Sequence, residues 1–209
     1  MPQDSHTAST ISEKVYDLEL LSPQHPAIEQ LKQQHPTSIH GDKVWDACFL
    51  LIDHFRKNPP QTGSKVLELG CGWGLAGIYL SKYYGCVVTA VDADANVFPY
   101  LQLHATVNDA KIDCQQSRFE QLEQKVLGSF DIIIAADVCF WDELSDIHQQ
   151  LIDRAIAADV EQIVYADPER EPFVELAEYC AEQHCAQIEL IELAGPPAAR
   201  GAIMVINNA

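Results

Sequence analysis

Basic residues are scarce. Lysine and arginine number 13 against 31 aspartates and glutamates in 209 residues, a formal net charge of −18. No run of lysines or arginines offsets this, so the surface should repel phosphate backbones, and no nucleic acid is expected as a partner. Long apolar runs are missing too. None approaches the ~18 residues of a membrane span, and no membrane partner is expected. The start, Met1-Pro2-Gln3-Asp4-Ser5-His6, has neither the basic nor the apolar region of a secretory signal. Clustered metal ligands are also lacking: the seven cysteines and eight histidines form no Cys-x-x-Cys, His-x-His or His-Glu-x-x-His. An odd number of scattered cysteines suits reduced thiols in a cytoplasmic protein, and no metal site is expected.

What is present reads as one α/β domain. The length allows a single sizeable core, and the 47% hydrophobic and 21% charged content is that of a globular protein. Residues 1–42 are polar, broken by Pro23, Pro26 and Pro36, and read as a leader with short helices. Residues 43–56 carry Val44, Ala47, Cys48, Leu51, Ile52 and Phe55 at helical spacing until Asn58-Pro59-Pro60 stops them. From Lys65 strands and helices alternate. Strands are expected at 65–69, 86–91, 112–116, 129–135 and 160–166. Helices are expected at 74–84, 95–107, 142–157 and 170–184, with a short one near 119–125. Val87–Val91 and Ile132–Ala135 are continuously apolar, as parallel strands covered on both faces are. Gln187–Leu193 and Ala202–Ile206, joined through Gly195-Pro196-Pro197, read as a closing pair that makes the last strand antiparallel.

One stretch carries the most chemistry: Val66-Leu67-Glu68-Leu69-Gly70-Cys71-Gly72-Trp73-Gly74-Leu75-Ala76-Gly77. An apolar strand ends in an acid, and glycines follow at every second position before a helix. Such a turn lets the backbone approach a ligand closely and offers free N–H groups. A dinucleotide fingerprint would need glycine at position 75, which is Leu75, and no Gly-Lys-Ser/Thr of a phosphate loop follows.

Ligands of open parallel sheets lie beyond the carboxyl ends of the strands. After the second strand stands Asp92, 20 residues past Gly72, followed by Ala93. Its carboxylate can accept two ribose hydroxyls, whereas Asp94 suits a helix cap. After the third strand, the Phe119 ring can stack on adenine or belong to the core. After the fourth come Ala136 and Asp137, then Phe140 and Trp141. A carboxylate at the edge of a low-dielectric pocket can hold an amine, and the two rings can wall a cation.

The motif Glu68-x-Gly70-x-Gly72-x-Gly74 resembles motif I of class I S-adenosylmethionine (SAM) methyltransferases. Three further segments are similar to a branch rich in protein lysine methyltransferases that includes the electron-transfer-flavoprotein β-subunit lysine methyltransferases. They are Val44-Trp45-Asp46-Ala47, Asp137-x-x-Phe140 and Ala166-Asp167-Pro168-Glu169-Arg170-Glu171-Pro172-Phe173. The resemblance spans roughly 44–180, with Phe140 in place of a tyrosine and Glu169 in place of a glycine. It implies a Rossmann-like, doubly wound, seven-stranded sheet with helices on both faces, and a methyltransferase domain over 43–209. It implies SAM as cofactor and S-adenosylhomocysteine as product. Trp45, Glu68, Gly70, Gly72 and Gly74, with Asp92, Ala93, Phe119 and Ala136, would hold the cofactor, and Asp137, Phe140 and Trp141 would serve the acceptor. The expected acceptor is a protein lysine in a basic segment. A small amine metabolite, or SAM binding without turnover, are the alternatives.

Overall fold

The computed structural model describes residues 12–38 and 40–208; the first eleven residues of the expected leader lie outside the described residues. The described chain starts with a hairpin, β1 (Ser12–Val15) and β2 (Leu18–Leu21), and then a helix, α1 (Pro26–Gln34). α2 (Ala47–Lys57) precedes the sheet. The alternation follows: β3 (Lys65–Leu69), α3 (Leu75–Tyr84), β4 (Val87–Asp92), α4 (Phe98–Val107), β5 (Ile112–Gln116), a one-turn α5 (Gln124–Leu127), β6 (Ile132–Ala136), α6 (Asp142–Ile156), β7 (Gln162–Asp167), α7 (Glu171–His184), β8 (Gln187–Leu193) and β9 (Ala199–Asn207). Single 3₁₀ turns stand at Ala95–Val97 and Phe119–Gln121.

β3 to β9 form one sheet in the order β5-β4-β3-β6-β7-β9-β8. The first five pair in parallel, and β9 runs antiparallel to both β7 and β8. This is the expected doubly wound sheet with its last strand reversed. The period of two along each strand sorts the core onto two faces. Val66, Val88, Ile132, Ile134 and Val164 pack under α2, α3 and α4. Leu67, Leu69, Ile133, Ile163 and Tyr165 pack under α6 and α7. Each fully buried Leu or Ile among them contributes roughly 1.5–3 kcal/mol.

Register then levels the strand ends. Leu69 pairs with Val91 on one side and with Ala135 on the other, so Gly70, Asp92 and Ala136 emerge side by side. Ala136 pairs with Ala166, which places Asp137 beside Asp167. Strand order reverses at β3, between β4 and β6, and that is where a crevice opens.

The hairpin was not expected. Its turn residues, Tyr16 and Asp17, both have positive φ, 50° and 61°. A two-residue turn of this hand usually announces itself with Asn-Gly or Asp-Gly; here no glycine signals it. Asn108 at the end of α4 holds the hairpin: its Oδ1 accepts the Glu19 N–H at 2.7 Å, and its Nδ2 donates to the Glu19 carbonyl at 2.9 Å. Buried His104 adds to this, with Nε2 accepting the Leu21 N–H (3.3 Å) and Nδ1 donating to the Tyr100 carbonyl (2.8 Å). These partners fix the neutral tautomer, and burial lowers the imidazole pKa accordingly.

α2 starts at Ala47, not at 43 as the spacing suggested. Trp45 and its neighbours are thereby freed from the helix to line the crevice. Among the described residues no helix is long and apolar enough to cross a membrane. All seven cysteines are free.

Candidate active site

A cavity of about 330 Å³ lies at the switch in strand order. All twelve residues singled out from the sequence line it: Trp45, Glu68, Gly70, Gly72, Gly74, Asp92, Ala93, Phe119 and Ala136, and likewise Asp137, Phe140 and Trp141. They fall into two ends.

The first end is built mainly of backbone. Gly74 adopts φ +68° as the N-cap of α3, and a Cβ there would sit 2.5 Å from Leu101 Cδ1. Gly72 has φ +49° and nothing within 4 Å of where its Cβ would be. A side chain at either place would strain the turn. Asp92 braces the loop: Oδ2 accepts the Gly72 N–H at 3.1 Å and Oδ1 accepts the Asp94 N–H at 2.9 Å. Burial raises its carboxyl pKa, and these N–H groups pull it back down. Asp94 is the expected cap, accepting the Asn96 N–H at 3.0 Å, and its Oδ2 also takes the Ser38 N–H at 2.7 Å. Glu68 is buried under α3. Its Oε1 accepts the Gly77 N–H at 3.3 Å, while Oε2 is buried with no partner. Burial pushes this carboxyl up to about 8. Phe119 is partly buried, its ring 4.7 Å from that of His148.

The second end is built of side chains from three separate segments. Asp137 follows β6 with φ 59°, its N–H donating to the Ala166 carbonyl at 2.9 Å. Its carboxylate pairs with Arg170, which precedes α7. The same guanidinium reaches Asp167 Oδ2 at 2.8 Å. Burial raises the Asp137 carboxyl pKa, against the pull of Arg170. Asp167 is pushed up to about 6, again by burial and against bonds from Arg170. Phe140 stacks on His40, with centroids 4.0 Å apart and planes 9° apart, and Arg170 Cζ lies 4.3 Å from the Phe140 centroid. Trp45 donates from Nε1 to the His40 carbonyl at 2.8 Å, and Lys43 Nζ lies 4.0 Å from its ring. Trp141 is 56% exposed at the rim.

Sequence reasoning missed Arg170, Asp167 and His40 as parts of this site. Asp137 was assigned an incoming amine, and its present partner is instead an arginine 33 positions away. Asp167 and Arg170 lie within the segment Ala166–Phe173, but nothing in their spacing marks a bridge to Asp137. His40 lay in the stretch read as leader.

A family model described as "Lysine methyltransferase" matches residues 25–178. The chain belongs to the lysine methyltransferase family. The electron transfer flavoprotein beta subunit lysine methyltransferase of Xenopus laevis is 28% identical over 162 residues, covering 75% of this chain and 63% of that protein. A ubiquinone biosynthesis O-methyltransferase of Nitrosococcus oceani is 32% identical over 84 residues, 40% of this chain and 35% of that one. The chain therefore spans less than two thirds of the length of these relatives. The fold agrees with the structure of a Pyrococcus abyssi tRNA (uracil-54, C5)-methyltransferase in complex with S-adenosyl-L-homocysteine. Its TM-score is 0.61 at 17% identity, over 93% of this chain and 42% of that one. Family and fold are thus those of SAM-dependent methyltransferases, with SAM as the cofactor. The lysine methyltransferase match runs from α1 through most of α7, so the segment carrying His40 falls within it.

Proposed function

We propose that this chain transfers a methyl group from SAM to the side-chain nitrogen of a protein lysine. The observation that carries the reading is the acceptor end of the cavity. Asp137, 6% exposed, meets a cation there, and that cation also lies against an aromatic ring. A carboxylate and a ring that hold a guanidinium between them have the chemistry to orient the nitrogen of an alkylamine. Trp141 on the open rim suits a side chain presented from a protein surface. The family match and the Xenopus relative support lysine as the acceptor.

The residues at the cofactor end fit SAM. Glu68 Oε2 is a buried carboxyl oxygen still lacking a hydrogen-bond partner, in a residue that lines the cavity. Gly72 leaves open space where any other residue would place a Cβ. Asp92 can accept ribose hydroxyls with the lone pairs its two N–H partners leave. Bound SAM supplies an electrophilic methyl group on a sulfonium. The chain must then align the acceptor nitrogen and exclude water. Asp137 orients that nitrogen by accepting one of its N–H bonds, while Phe140 and Trp141 screen it from solvent. A lysine ammonium, with its free pKa of ~10.4, must lose a proton first.

The test is methyl transfer from labelled SAM into a cell lysate, followed by fractionation and hydrolysis. Label recovered as methyl-lysine in protein is the expected result. Label confined to nucleic acid or to small amines would replace the acceptor, and binding of SAM without any transfer would replace the activity.

A further inference from the structure

Asp137 and Asp167 end neighbouring strands at the same level, and one guanidinium serves both. Arg170 Nη2 donates to Asp137 and to Asp167 Oδ2; Nε donates to Asp167 Oδ1 at 3.3 Å. The Arg170 backbone N–H reaches the same Oδ1 at 2.9 Å, so the loop itself fixes the pair. The carboxylates are 6% and 1% exposed, and the arginine side chain 26%. Other titratable or charged groups face this cluster. Lys43 and Asp46, before α2, are exposed and oppose one another. Cys48 on α2 and Cys139 after β6 are held as neutral thiols by burial, and Glu68 is held largely protonated in the same way. His40 stacks on Phe140 with neither ring nitrogen bonded. Two carboxylates against one guanidinium leave a single negative charge in excess.

We propose that Arg170 is a positioning residue that sets the charge of the acceptor end, leaving room for one cation and no more. The inference rests on the lysine reading for its consequence, though not for the charge itself. With a sulfonium cofactor in the cavity, the surplus charge is already matched. An entering lysine ammonium would be a second cation in a poorly solvated place. It therefore releases its proton to solvent on entry, and the nitrogen arrives with its lone pair free. Without Arg170 two negative charges are in excess, the ammonium is balanced, and it stays protonated and unreactive. The arginine keeps Asp137 an orienting group and prevents it from being a cation trap.

Two measurements decide this. The first needs no turnover: calorimetric affinities for SAM, a cation, and for S-adenosylhomocysteine, its neutral counterpart. Arg170→Gln should widen the preference for SAM by about three-fold or more, as an unscreened negative charge nearby requires. Arg170→Lys should keep it. Asp167→Asn should narrow it, and the double variant Asp167→Asn with Arg170→Gln should return it to the wild-type value. The Asp167→Asn arm stands even where Arg170→Gln does not fold. A ratio that follows none of these charges overturns the proposal. The second is the pH dependence of kcat at saturating acceptor, a synthetic peptide around the lysine that the lysate experiment marks. The rising limb should move up by about one pH unit or more in Arg170→Gln and stay in place in Arg170→Lys. Activity lost equally at every pH, with the limb unmoved, would make Arg170 merely structural and overturn the proposal. If no lysine is labelled, the lysine reading fails by itself, and the affinity ratio still decides the charge.

Discussion

The two ends of the cavity are made differently. At the cofactor end the geometry is local: Glu68, three glycines and the start of α3 lie within ten consecutive residues, and Asp92 ties the loop to the adjacent strand. At the acceptor end Asp137, Asp167, Arg170, Phe140 and His40 come from three segments and meet only in the folded chain. A backbone cradle admits one shape of ligand and tolerates little change. A side-chain cluster can be altered residue by residue while the fold stands. Under the proposed function, this difference would let one sheet keep its cofactor and vary its acceptor.

The comparison breaks most sharply at Asp137. Asp137→Asn keeps the shape and should lower turnover by about 10²-fold or more, as for a misplaced reacting group. SAM affinity, measured by calorimetry, should fall by no more than the few-fold that the loss of one negative charge causes, as in Asp167→Asn. Loss of both together would merge the two ends into one.

Glu68 probes the cofactor end through pH. Its native carboxyl holds a proton up to about 8, whereas in an ordinary solvated glutamate it is lost near 4.5. Between those values the native state binds more protons than the unfolded chain, so stability falls as pH rises through this window. Glu68→Gln should remove that slope. Relative to wild type the variant should gain about 1–3 kcal/mol between pH 6 and 8, read by urea unfolding at both. A parallel pair of pH profiles would mean that Glu68 is ionised in the native protein.

Asp92→Ala should weaken SAM binding by about 1–3 kcal/mol, the range for losing a charged hydrogen-bond partner, with kcat at saturation little changed. Asp94 is badly placed to substitute, because Asp92 lines the cavity and Asp94 does not. The smallest effect belongs to Asp94→Ala. It should cost about 0.5–2 kcal/mol of stability, the value of a lost cap, in thermal unfolding. Turnover unaltered in Asp137→Asn but depressed in Asp94→Ala would reverse the assignment of the two ends.

The same contrast governs what could be read from the chain alone. Continuous apolar strands such as Ile132–Ala135, and glycines where helix α3 begins, are signals within a window of a dozen residues. They delivered the sheet, its reversed last strand and the residues around the cavity. The hairpin at 12–21 escaped because its turn has Tyr16-Asp17 where a glycine would have signalled it. Packing compensates for the left-handed backbone: the Tyr16 ring meets Tyr79 edge-on at 6.4 Å and lies under Arg56. Arg170 escaped for another reason. An arginine beside a strand end reads as a solvated charge, and only the level ends of β6 and β7 bring its two carboxylates together. His40 stacks on a ring 100 positions away, a separation that no periodicity reports.

Two hydrogen bonds and the stack of His40 on Phe140 fasten the segment leading into α2 over the cavity; the bonds are the Ser38 N–H on Asp94 and the Trp73 Nε1–H on the Gly41 carbonyl at 3.0 Å. A strap held at so few points would lift without disturbing the sheet, and its opening would then limit how fast anything beneath it escapes. Amide exchange at Gly41, whose N–H bonds only within the strap, should therefore slow when S-adenosylhomocysteine is present. Asp94→Ala, by releasing one fastening, should shorten the residence time of that product more than it weakens the binding of SAM, tying the pace of successive turnovers to a hinge outside the chemistry.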